Sequence, residues 1–209
     1  MRLKSLRKKF VREVIEKVLE KKFPVVSLSL TSINKLTHLI AILLSARQRD
    51  STVNKSTKAL FETCSTTSCF LNLGFEKLNR FLSPIGLNKT KTGYILSLCK
   101  LLEQKYNGEV PKTLKSLVSL PGVGPKTALV YLGQMEQKNT FPVDTHVQRL
   151  CTKWNLTKKN AKECAPLFTR KNLSKLHLQL LNYGRKICKG KDFSSCLCEI
   201  CKLKPTYGL

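Results

Sequence analysis

Three groups of residues in this chain have the types and spacing that chemistry needs. The first lies in LPGVGPKTA (Leu120 to Ala128), where Gly122 and Gly124 stand two apart, flanked by apolar residues and followed by a helix-forming run. Each glycine permits backbone conformations that a Cβ opposes, so the turn can be tight. Their N–H groups, beside the N-terminus of the next helix, can hold a phosphate oxygen, and Val123 between them belongs to the same candidate contact. Lys126 falls in the first turn of that helix, where a lysine serves as a phosphate contact or, as a neutral amine, as a nucleophile. The second group centres on Asp144, which follows Lys126 in the tetrapeptide VDTH. A carboxylate there is a helix N-cap for Thr145-His146-Val147, or a group that stabilises positive charge and moves protons. The third is a tail reading Cys188-x7-Cys196-x1-Cys198-x2-Cys201. Four thiolates so close in sequence suit metal ligation.

The partners of such residues are bounded by charge. The chain of 209 residues carries 38 Lys and Arg against 13 Asp and Glu, a net charge of +25, which predicts a polyanionic partner and favours nucleic acid over an acidic membrane surface. The other five of nine cysteines, Cys64, Cys69, Cys99, Cys151 and Cys164, are scattered. The basic start MRLKSLRKKF runs into the charged VREVIEKVLEKK, not into an apolar segment, so no secretory signal is read. A secreted disulfide framework is therefore not expected, and the tail reads as a metal site in a reducing compartment. The apolar run HLIAILLSA is too short to span a bilayer. The expectation is a cytoplasmic protein, nucleoid-associated if bacterial, with no membrane partner.

The elements that position these groups are helical. Residues 3 to 22 read as an amphipathic helix with Val11, Val14, Ile15, Val18 and Leu19 on one stripe. A second helix, from about Lys35 to Arg47, is apolar almost all round, as a helix buried at a domain centre is. Asp50 is expected to cap STVNKSTKALF, and Asn88 to cap a long helix carrying Ile95, Leu98, Cys99 and Leu102 and ending at Asn107-Gly108. Helical segments continue from VDTH to about Ile187, and the tail is loop-like. Strand signals are scarce, so the fold class is all-α.

LPGVGPKTA, its spacing to VDTH and the cysteine-rich tail resemble the endonuclease III family, helix-hairpin-helix glycosylases and abasic-site lyases of base-excision repair. LIAILLSARQRD (Leu39 to Asp50), IGLNKTK (Ile85 to Lys91) and NGEVP (Asn107 to Pro111) match the family pattern in order, and the likeness covers roughly residues 36 to 201. It implies two helical domains, a six-helix domain over 25–137 and a discontinuous one over 1–24 and 138–209, with the active site in the cleft between them. It assigns Lys126 the role of nucleophile, attacking C1′ of a damaged nucleoside to give a Schiff base. Such an amine must be neutral, and a helix N-terminus with surrounding positive charge disfavours the ammonium. Asp144 would stabilise charge on the sugar.

The implied substrate is double-stranded DNA with oxidised pyrimidines or abasic sites, bound by a monomer. A family glutamine that fills the gap of the flipped nucleotide aligns with Arg47, with Gln48 one place along, and Leu87 matches an apolar wedge residue, though a buried loop leucine fits its sequence equally well. Lys189 and Lys191 interleave the cysteines as candidate phosphate contacts. The family cluster is a [4Fe–4S] centre on Cys-x6-Cys-x2-Cys-x5-Cys. Here the last cysteine aligns with Tyr207, and Cys196 is the expected substitute beside Cys188, Cys198 and Cys201. Zinc and a metal-free tail are the alternatives. Two other functions compete: a non-catalytic hairpin DNA-binding protein, which has no need of Lys126 and Asp144 in register, and an adenine-mismatch glycosylase, whose catalytic carboxylate is missing from Leu39 to Ser45.

Overall fold

The computed structural model of the chain describes residues 2–154, 156–157, 168, 172–189, 196 and 198–202, with side chains from residue 12 onward. Among the described residues every regular element is a helix: α1 (Arg2–Lys22), α2 (Lys35–Leu44), α3 (Asp50–Thr63), α4 (Thr67–Phe81), α5 (Asn88–Tyr106), α6 (Leu114–Val118), α7 (Pro125–Met135), α8 (Thr145–Lys153), α9 (Leu173–Lys186) and α10 (Glu199–Lys202). The all-α expectation is met. None of these helices is long and apolar enough to cross a membrane. The backbone forms two compact units, one of Leu28–Lys138 and one of the residues up to Ser27 together with those from Asn139 onward.

The unit Leu28–Lys138 is built on α2. Every residue of this helix after Lys35 is buried, because KLTHLIAILL offers no charge to any face beyond its first residue. Its start is fixed by a capping box in which Asn34 accepts from the Thr37 N–H and Thr37 reaches back to the Asn34 N–H. Helices α3, α5 and α7 pack on α2. Helix α7 is also tied to it by polar contacts: His38 Nε2 meets Gln134 Oε1 at 2.8 Å, and Lys35 pairs with Glu136 at 2.9 Å.

Several ends differ from the sequence reading. Helix α2 stops at Leu44, since the Ser45 N–H turns back to the carbonyls of Ala41 and Ile42, and the chain then enters a left-handed residue, Arg47. Asp50 is the first residue of α3 and not its cap; its carboxylate accepts from Ser29 Oγ at 2.7 Å. Asn88 likewise opens α5, while the capping position is Leu87 with φ 60° and no side-chain bond. Helix α4 breaks at Gly74, where φ of 74° needs a residue without a Cβ. Cys64 and Cys69 form a disulfide across the α3–α4 turn, with Cα atoms 5.5 Å apart, where the sequence suggested only scattered thiols. Cys99 is a core residue, as expected, its thiol pushed up to about 12 by burial and by Glu103. Cys164 lies outside the described residues.

In the other unit, Ile15, Val18 and Leu19 of α1 pack with Val147, Leu150 and Cys151 of α8, with Leu176, Leu180 and Tyr183 of α9, and with Trp154. Lys175 and Gln179 on α9 hold Glu20 of α1 at 2.7 and 3.1 Å.

His38 gives this fold a pH signature. Its imidazole is fully buried between Ser32 and Gln134, and burial lowers its pKa below 6.5, with the Gln134 bond a smaller opposing effect. A depressed folded pKa means the unfolded chain takes up this proton first, so stability falls as pH drops below 6.5. Urea midpoints measured from pH 7 to 5 should fall more steeply for wild type than for His38→Gln; parallel slopes would show that His38 is not the titrating group.

Candidate functional site

The hairpin between α6 and α7 is seated on α2 and α5. Gly122 holds φ 76°, and a Cβ there would lie 2.9 Å from both Leu43 Cδ1 and the Tyr94 side chain. Gly122 is therefore required twice, by conformation and by space. Gly124 is different: its φ is −82°, and an added Cβ would meet nothing within 4 Å. The sequence reading gave both glycines the same conformational reason, and only Gly122 has it. Val123 is also corrected. Its side chain is in the core, and its N–H donates to the Leu120 carbonyl at 3.1 Å, so its amide is committed within the turn. Among the described residues no backbone carbonyl takes the N–H of Gly122 or Gly124.

Pro125 occupies the first turn of α7, where its missing N–H is no loss, and fixes the helical φ at once. Lys126 follows, with its side chain exposed. The N–H groups of this first turn have no intrahelical carbonyl, and the helix dipole adds partial positive charge. Gly124, the α7 N-terminus and Lys126 thus present donors and a cation together, an arrangement suited to an anion.

Asp144 caps α8 by accepting the Val147 N–H on Oδ1 at 2.7 Å, which uses one oxygen of the carboxylate. The residue is half-buried and lines an open pocket of about 690 Å3 with His146, Gln148 and Arg149. Arg149 was not singled out by sequence. Its guanidinium donates to the Cys188 carbonyl at 2.6 Å and to the Gly184 carbonyl at 2.9 Å, tying α8 to the end of α9 and the first tail cysteine.

Arg47 and Leu87 both hold left-handed backbone angles, φ 57° and 60°, in exposed loops. Leu87 is 64% exposed, which excludes the buried-leucine alternative. Gln48 is half-buried, its Nε2 close against Gly86.

The four tail cysteines converge. The Sγ atoms of Cys188, Cys196, Cys198 and Cys201 all lie within 4.8 Å of one another, with Cys188 3.6 Å from Cys196 and 4.0 Å from Cys201. The thiols are strongly interdependent. Donation from Cys188, against the opposing effect of burial, holds the Cys198 thiol down to about 4. That thiolate in turn drives Cys188 well above the usual thiol range, and burial with the same neighbour pushes Cys201 up to about 12. Lys153, buried beside them, is a second residue the sequence did not mark. Burial opposes its ammonium, yet the sulfurs of Cys188, Cys201 and Cys196 outweigh burial and raise its pKa. Lys189, next to Cys188, is exposed; Lys191 and Tyr207 lie outside the described residues.

The pattern of HhH-GPD superfamily base excision DNA repair proteins matches residues 40–175. Endonuclease III of Rickettsia felis is 40% identical over 176 residues, covering 82% of this chain and 81% of that protein. The chain belongs to the endonuclease III family. Solved structures agree: a non-covalent endonuclease III–DNA complex superposes with a TM-score of 0.84 at 32% identity, covering 95% of this chain and 98% of the other. A trapped endonuclease III–DNA covalent intermediate gives 0.83 at the same identity and coverage. Membership makes the protein a DNA glycosylase of base-excision repair. For a family member whose tail cysteines are unusually spaced, the convergence of four sulfurs is the finding that matters, since such a donor set can bind a metal.

The two hairpin glycines should separate on mutation. Gly122→Ala forces a Cβ into Leu43 and Tyr94 at positive φ and should destabilise the fold by about 1–3 kcal/mol. Gly124→Ala should cost under about 1 kcal/mol, as a capping change in open space. Urea denaturation checks both, and equal losses would contradict the assigned roles.

Proposed function

We propose that this chain is a bifunctional glycosylase and abasic-site lyase acting on oxidised pyrimidines in double-stranded DNA, as a monomer. The observation that carries the reading is Lys126, exposed in the first turn of α7 directly behind the Gly122 turn, in a family for which a covalent DNA intermediate has been trapped. The free N–H groups at the α7 N-terminus bind the flanking phosphate, and this brings the Lys126 amine to the sugar. The neutral Lys126 amine forms a bond to C1′ while the N-glycosidic bond breaks and the base leaves with the electron pair. Ring opening gives a Schiff base, and loss of a C2′ proton then expels the 3′ phosphate by β-elimination.

Asp144 serves twice in this scheme. One oxygen caps α8, which fixes the carboxylate's direction, and the other faces positive charge developing on the sugar and accepts or returns protons. Gly122, Gly124 and Lys189 contact phosphates, positioning the duplex without reading its sequence. Lys191 is assigned with them. Arg47 and Leu87 enter the duplex where the target base leaves its stack. The charge of +25 supports a binding term that weakens steeply with salt.

Cys188, Cys196, Cys198 and Cys201 would hold a [4Fe–4S] cluster, as the family implies. These cysteines pack in the same cluster as Trp154 and Tyr183, so holding the group would tie the tail to that core. Zinc is a second reading favoured by one observation: tetrahedral Zn–S bonds of about 2.3 Å set sulfurs about 3.8 Å apart, near the 3.6 and 4.0 Å found here. Elemental analysis of anaerobically purified protein separates the two readings. In either case Cys196→Ser should lower the bound metal several-fold, and unchanged metal content would remove Cys196 from the ligand set.

The catalytic assignment is tested by two substitutions. Lys126→Gln removes the amine and keeps its length, so strand cutting should vanish while abasic DNA is still bound. Asp144→Asn is the sharper probe, because asparagine caps helices as well as aspartate does. Its α8 should stay intact while turnover falls about 100-fold or more. Normal cutting by the Lys126 variant, or full turnover by the Asp144 variant, would overturn the respective role.

A further inference from the structure

Two non-glycine residues in exposed loops, Arg47 and Leu87, hold left-handed angles that cost about 1–2 kcal/mol each. One residue reaches both loops. Lys91, in the first turn of α5, donates its backbone N–H to the Leu87 carbonyl at 2.9 Å. Its Nζ donates to the carbonyls of Leu44 at 2.9 Å and Ala46 at 3.0 Å, the last residue of α2 and the residue before Arg47.

Lys91 is only 6% exposed, and among the described residues no carboxylate pairs with it. Its ammonium is held by carbonyls at the negative end of the α2 dipole. For packing alone, a methionine would fill this space without burying a charge, so the charge points to a task. The loops also touch directly: a Cβ on Gly86, the residue before Leu87, would lie 2.7 Å from Gln48 Nε2 and push the end of that side chain aside.

We propose that Lys91 is a positioning residue that holds Arg47 and Leu87 at a fixed separation, so that both side chains enter the duplex together as the target base leaves the stack. The proposal rests on the glycosylase reading above. Inserted side chains help only if they are already in place, because unstacking costs a few kcal/mol that a mobile wedge cannot return.

The test uses full-length protein and two DNA probes. A duplex with 2-aminopurine next to thymine glycol reports base extrusion by stopped-flow fluorescence. Single-stranded abasic DNA reports strand cutting where no stack needs opening. Lys91→Met should slow extrusion about tenfold relative to its own rate on the single strand, the loss expected when one positioning contact is removed. In an Arg47→Ala/Leu87→Ala background the same change should matter less than about twofold, since the residues it positions are gone. Slowing of both probes in proportion, or an undiminished effect in that background, would reduce Lys91 to a structural role. If Lys91→Met fails to fold by circular dichroism, Gly86→Ala takes its place. It displaces only the end of Gln48, and should slow extrusion selectively; no selective loss would overturn the proposal. Wild-type protein that leaves both DNAs uncut would overturn the glycosylase reading itself, an outcome visible before any variant is compared.

Discussion

No Cβ fits at Gly122, and the placement of Lys126 depends on that. The residue is left-handed and lies against Leu43 of α2 and Tyr94 of α5, so the hairpin is clamped to the most buried helix of its unit. The turn then delivers Pro125 and Lys126 to the surface at the start of α7, while Val123 is drawn into the core as an anchor. A hydrophobic constraint on one side of the turn between α6 and α7 thereby sets the direction of free N–H groups and an amine on the other. The anion-binding geometry is a consequence of how tightly the turn packs.

Much of this was legible in the sequence, for definable reasons. The run from Leu36 to Leu44 contains no side chain that needs water, so its central burial follows from composition alone. Glycines two apart between helical patterns gave the hairpin, and VDTH gave the α8 cap that Asp144 makes. What escaped reading was of two kinds. Left-handed Arg47 and Leu87 carry no sequence signature, since neither is glycine or asparagine; hence the helical pattern runs on past the end of α2, and Asn88 has the look of a cap that it is not. Basic side chains turned inward were the other kind. Lys91, Lys153 and Arg149 look like solvated basic residues in a chain with 38 of them, and only tertiary contacts distinguish them.

Those three residues share a logic. Each turns a basic side chain inward, where it meets carbonyls or sulfurs. Lys91 closes the end of α2, Arg149 joins the end of α9 to Cys188, and Lys153 stands among the tail sulfurs. Four thiolates around a metal carry more negative charge than the ion neutralises, so a buried ammonium beside them favours the loaded state. Lys126 and Lys189, by contrast, are exposed, where a polyanion can be met. The unusual tail spacing is compatible with this because convergence of sulfurs in space, and not their order in the chain, decides what can be bound.

Lys126 as nucleophile is the centre of the proposed chemistry, and covalent capture tests it most directly. Wild-type protein mixed with duplex DNA bearing one abasic site in the presence of borohydride should become linked to the strand through a reduced Schiff base. Digestion and mass spectrometry should then find the sugar remnant on the peptide containing Lys126, attached at its Nζ. A remnant on any other lysine, or strand cutting with no trapped species, would contradict Lys126 as the attacking amine.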